Sequence, residues 1–124
     1  MKETKLLTLT PDSDATIYRL TLRTLIYPAH DQIVAYALDG DLLGAGYDEE
    51  EAIAKLRQTV KIFLEDAVRR GGPEELTQRK AHDKFFTHWK QPPFGVESGY
   101  LSMSLRLNHP SGIVISPPQA LKCA

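Results

Sequence analysis

The chain has 124 residues, of which 25% are charged, and a formal net charge of −1. That length suits one domain with a buried core, and the balanced charge gives no global drive toward nucleic acid or a membrane surface. The single cysteine, Cys123, excludes an internal disulfide and a cysteine-based metal site.

The N-terminus has no secretory apolar region, and no apolar run approaches ~18 residues, so a cytoplasmic protein without a membrane span is expected. Residues 1–15 are polar and turn-like, with Pro11, Asp12, Ser13 and Asp14 as a breaker. Residues 5–10 read as a short edge strand or as irregular chain. Over 16–27 the pattern has period two: Tyr18, Leu20, Leu22, Thr24 and Ile26 share one face, while Arg19, Thr21 and Arg23 share the other. This predicts a half-buried strand with an open polar face. A turn over 28–32 leads to residues 33–38, which are apolar on both faces and read as a central strand. Asp39-Gly40 predicts a two-residue hairpin, and 42–45 returns as a short third strand kept thin by Gly44 and Gly46.

The strongest local signal is the helix that follows. Asp48 suits an N-cap, and Glu51 completes an acidic capping box by reaching back to the cap amide. Glu49, Glu50 and Glu51 sit at the positive end of the helix dipole, with Arg69 and Arg70 at the other. Gly71 supplies the left-handed stop. The apolar stripe is Ala52, Ile53, Leu56, Val60, Phe63, Leu64, Ala67 and Val68. On the opposite face Lys61 and Glu65 are placed for a helix ion pair, a gain of about 0.3 kcal/mol.

Beyond Gly72, Pro73 with Glu74 and Glu75 opens a second helix bearing Ala81, Phe85, Phe86 and Trp89, which ends before Pro92. Residues 100–107 alternate, with Leu101, Met103, Leu105 and Leu107 on one face. A turn over 108–112 and a short strand over 113–115 would complete a C-terminal β-hairpin, and residues 116–124 read as a tail with Cys123 as an exposed terminal thiol. The expected architecture is α+β: a β-β-β-α core, a second helix and a β-hairpin, with helix on one side of the sheet.

The hairpin and first helix resemble the HicB family, the antitoxin-type partner in HicA/HicB toxin–antitoxin pairs. The matching residues are Gly46, Asp48 (where Thr is usual), Glu50, Glu51 and Ala52, with Leu56, Val60, Phe63, Leu64 and Glu65 at the same spacing. The resemblance covers residues 16–71, and 73–124 form a C-terminal extension of unassigned role. It implies a partial ribonuclease-H-like fold without catalytic carboxylates. It also implies a non-catalytic antitoxin-type or orphan module that binds a small toxin protein. In the family a separate C-terminal segment often binds operator DNA. Residues 73–124 match neither a helix-turn-helix nor a ribbon-helix-helix arm, which puts DNA binding in doubt. The Pro-Gly-Cys often found in the third-strand region is replaced by Asp39-Gly40-Asp41-Leu42-Leu43.

No catalytic, cofactor or metal site is expected. His30, His82, His88 and His109 have no metal-site spacing, and His82-Asp83 lacks a nucleophile to serve. Two-metal nuclease chemistry needs converging carboxylates, whereas Asp39 and Asp41 suit a turn and Asp48 a cap. Phe85, Phe86 and Trp89 could stack on single-stranded nucleic acid, but their helical spacing favours packing. Gly44-Ala45-Gly46 is too short for a phosphate loop. The candidate partner or nucleic-acid face is therefore Arg19, Thr21 and Arg23. RNA binding through it is the alternative to protein binding. Short strands with open edges also predict a homo-oligomer, a dimer by default.

Overall fold

The computed structural model describes residues 6–11 and 15–108. It is an α+β structure with antiparallel pairing throughout. The elements are β1 (Leu7–Pro11), β2 (Ala15–Ala29), β3 (Gln32–Ala37), β4 (Leu42–Gly46), α1 (Glu49–Arg69), α2 (Glu75–Gln78), α3 (Asp83–Lys90) and β5 (Glu97–Asn108). The short strand expected at 113–115 and Cys123 lie outside the described residues.

The fifteen-residue β2 organises the sheet. Its first part pairs with β1, from Leu20 opposite Leu7 to Thr16 opposite Pro11, and its last part pairs with β3, from Thr24 opposite Ala37 to Ala29 opposite Gln32. β5 pairs with β2 from Ala15 opposite Asn108 to Ile26 opposite Glu97. A strand has two edges, so β1 and β3 must share one edge of β2, end to end, while β5 takes the other. β4 adds outside β3. Pro28 lies beyond the last residue of β2 that faces β5, so its missing N–H breaks no ladder bond there.

The apolar alternation of β2 is realised. Tyr18, Leu20 and Leu22 join Ala35, Ala37 and Leu101 under Ala52, Leu56, Val60 and Leu64 of α1. The cap geometry holds with one shift: Asp48 accepts from Glu51 N–H at 2.8 Å, but Glu51 reaches back to Tyr47 N–H at 2.6 Å, one residue before the cap. Gly71 closes the helix at φ +80°, and its N–H reaches Val68 O at 2.9 Å. The expected Lys61–Glu65 pair is replaced. Among the described residues the pairs within α1 and its cap join Lys55 to Glu51, and Arg69 and Arg70 to Asp66.

The Asp39-Gly40 turn forms, with Ala37 facing Leu42 and Asp41 N–H donating to Leu38 O at 3.3 Å, and two other expectations are corrected. Gly40 N–H donates to Arg79 O at 2.7 Å and Ala81 N–H to Leu38 O at 2.9 Å, which ties the turn to residues 79–81. The same bonds split the single helix expected after Pro73. Residues 79–81 spend backbone groups on the turn and are extended, leaving α2 and α3 as separate short helices. Finally, helices lie on both faces of the sheet. Phe85, Phe86 and Trp89 of α3 pack against Leu25, Tyr27, Val34, Tyr36 and Leu38, the side opposite α1. This aromatic helix closes a second apolar cluster. Phe85 meets Tyr36 edge-on, ring centroids 5.2 Å apart.

Among the described residues no helix is long and apolar enough to cross a membrane.

Candidate interaction face

Directly opposed residues of an antiparallel pair share a face. The odd-numbered residues of β2 therefore gather their neighbours into one surface: Thr8 and Ser104 flank Arg19, Ser102 lies beside Thr21, Tyr100 beside Arg23, and Thr10 and Arg106 flank Ile17. Helix α3 covers only the end of this face near Leu25 and Tyr36. The rest is a shallow sheet surface of hydroxyls and arginines, with no carboxylate among these residues.

The three residues singled out by alternation share this face but have different roles. Arg19 is exposed, and its Nη1 donates to Thr10 Oγ1 at 3.0 Å. Thr21 sits mid-face beside Ser102. Arg23 belongs to the covered end. Its backbone N–H donates to Asp39 Oδ2 at 2.8 Å, its Nε to the same oxygen at 3.1 Å, and its Nη2 to Oδ1 at 2.7 Å. Its guanidinium stacks on Phe86, 4.6 Å from the ring centroid. The hydrogen bond from Arg23 to Asp39 holds the guanidinium pKa above its ordinary value. The bidentate pair fixes Arg23 in place, so it frames the face and Arg19 and Thr21 remain its accessible part.

Asp39 thus does more than serve a turn. It is buried at 6% exposure, where β1 ends and β3 begins along β2. Neither strand supplies an acceptor for Arg23 N–H at this join, and the Asp39 carboxylate takes that place. Asp41, with φ +56°, accepts from the Tyr36 hydroxyl. Asp48 caps α1. His82 Nδ1 accepts from Lys84 N–H at 3.1 Å and caps α3. Among the described residues no group of three or more His, Cys, Asp or Glu side chains could hold a metal ion.

Ser102, Ser104 and Arg106 were legible as the polar side of an alternating strand. Their place beside Arg19 and Thr21 was not, because alternation does not name a strand's partner. Arg57, exposed on α1, reaches the sheet edge, where its Nη1 donates to Ser102 O at 3.0 Å.

Burial raises the Tyr36 phenol pKa well above its ordinary 10.0, and the hydrogen bond to Asp41 adds to this. Burial also raises Tyr18 and Tyr27. Each favours the neutral form in the folded chain. Stability should therefore be intact below pH 10 and fall as pH rises through and above it, where the unfolded chain ionises first. Urea midpoints between pH 8 and 11 would check this. A midpoint that holds flat to pH 11 would contradict it.

No protein-family model, curated protein or solved structure matches this chain.

Proposed function

We propose that the chain is a non-catalytic protein-binding module of HicB-like type, an antitoxin-type or orphan member, acting by covering a small partner. The observation that carries this reading is the open end of the sheet face around Arg19 and Thr21, widened by Ser102, Ser104 and Arg106. It is a shallow, polar surface held rigid by the core beneath it. The β2-β3-β4-α1 order and the Asp48-x-Glu50-Glu51-Ala52 helix entry support the family part of the reading, and with it a degenerate ribonuclease-H-like origin. The carboxylates around the β3–β4 turn support the non-catalytic part. Asp39 is engaged by Arg23, Asp41 by Tyr36 and, at the start of α1, Asp48 by Glu51 N–H.

RNA binding is the second reading. It is favoured by Arg19 and Arg106 lying among threonine and serine hydroxyls on one face. Salt separates the two. Phosphate contacts weaken steeply between about 50 and 200 mM salt, whereas apolar protein contact does not.

The test is affinity purification of the tagged full-length chain from its native host, at low and raised salt. Co-elution of a small protein at both, with little nucleic acid, supports the proposal. Nucleic acid alone, lost at raised salt, sinks it in favour of the second reading. Arg19→Glu should then weaken partner binding by about tenfold or more, with a thermal midpoint close to wild type because the site is exposed. Unchanged affinity would place the interface elsewhere.

A further inference from the structure

The outer edge of β5 is twelve residues long and has no strand beside it among the described residues. Hydrogen bonding shows which groups point there. Thr21 N–H donates to Leu6 O and Leu38 N–H donates to Arg23 O, so the odd residues of β2 turn their backbone groups away from β5. Opposed residues of an antiparallel pair behave alike. Ser102, opposite Thr21, and Tyr100, opposite Arg23, therefore turn their N–H and C=O outward. Alternation extends this to Ser98 and Ser104. The Arg57 bond to Ser102 O fits that direction.

Free edges are usually guarded by proline, a bulge, brevity or an inward-pointing charge. β5 contains no proline. Its register against β2 runs without a bulge from Glu97 to Asn108. Between Ser98 and Leu105 its core-facing residues are Gly99, Leu101, Met103 and Leu105, all uncharged. Arg57 caps one carbonyl only. Met103, Leu105 and Leu107 pack on the core but stay partly exposed.

We propose that this edge pairs with β5 of a second copy of the chain, antiparallel, across a two-fold axis at Met103. An antiparallel edge matches itself in donors and acceptors, and here the side chains match too. Centring on Met103 sets Ser102 against the partner's Ser104 and Leu101 against the partner's Leu105. No like charges oppose one another, and the apolar side of both sheets becomes continuous. The strand is long enough for a ladder along its whole length, and the two-fold arrangement closes. Ser102 and Ser104 border both surfaces, but sedimentation of the chain alone reads dimerisation and the Arg19→Glu variant reads partner binding, so the two proposals fail separately.

Ser104→Pro separates this pairing from the fold. Its N–H points out of the sheet edge, so proline removes a donor from the proposed interface without removing a bond to β2. The full-length chain should sediment as a dimer and Ser104→Pro as a monomer, with the same far-ultraviolet circular dichroism. Arg57→Ala frees the Ser102 carbonyl and should tighten the dimer several-fold, which keeps the proposal testable should the proline variant not fold. A wild-type monomer at all concentrations, a folded Ser104→Pro that stays dimeric, or weaker dimerisation in Arg57→Ala would each overturn it. A monomer includes the case in which residues 109–124 or another partner occupy the edge.

Discussion

Gly44→Ala is expected to destabilise the protein by about 3 kcal/mol or more, an overpacking cost at the top of its usual range because backbone faces backbone. A Cβ at Gly44 would lie 2.4 Å from Leu56 N, 2.7 Å from Ala52 O and 2.9 Å from Leu56 Cα. None of these atoms can turn aside as a side chain could. Helix α1 would have to lift from β4, loosening Ala52 and Leu56, both fully buried. For a chain of this size the thermal midpoint should fall by about 10 °C or more. Gly99→Ala is the control, since nothing lies within 4 Å of its added Cβ and its φ is not in the left-handed region. It should stay within about 0.5 kcal/mol of wild type. A Gly44→Ala loss below about 1 kcal/mol by urea unfolding would show that α1 is not seated on β4 as described.

Asp39→Ala is expected to cost about 2–3 kcal/mol, below the full range for breaking a buried pair. The discount follows from exposure: the Asp39 side chain is 8% exposed but that of Arg23 is 42%. The substitution leaves Arg23 N–H without its acceptor at the join of β1 and β3 and removes both bonds to the guanidinium. Asp39→Asn keeps a neutral oxygen for the backbone donor and should lose about half as much. Urea midpoints for the two variants would decide. Equal losses would mean that charge contributes nothing, and a negligible loss in Asp39→Ala would remove the join as a determinant of the fold.

These two sites show where reading the chain succeeds and where it stops. Gly44 was recognised as a residue that keeps a short strand thin, and the close contact with α1 gives that reading its cause. Asp39 was assigned to a tight turn, because Asp-Gly is a strong local signal. The turn forms, but nonlocal bonds to Arg79 O and from Ala81 N–H anchor it to residues 79–81, and Arg23, sixteen residues earlier, takes the carboxylate. The same competition broke the helix expected after Pro73. Local propensity ranks conformations of an isolated segment, and a distant backbone partner can outweigh it.

The candidate face divides in the same way. Period-two alternation placed Arg19, Thr21 and Arg23 together correctly. That Arg23 is tied down while Arg19 is exposed depends on α3 and Asp39. Nothing in the spacing of residues 100–107 identified β2 as their partner, or Arg57 as the side chain at their outer edge.

By itself the amino-acid sequence determined the four main strands, the long capped helix, the apolar stripe beneath it and the polar side of the sheet. Those features arise from periodicity, capping and turn chemistry, which act within a few residues. Only the tertiary structure decided that β1 and β3 share one edge of β2 and that β5 lies antiparallel on the other. It also decided that a second helix covers part of the opposite face and that, among the described residues, the long outer edge of β5 has no strand beside it. Each depends on contacts between residues far apart in the chain, where side-chain period constrains the face of a strand but not its neighbour.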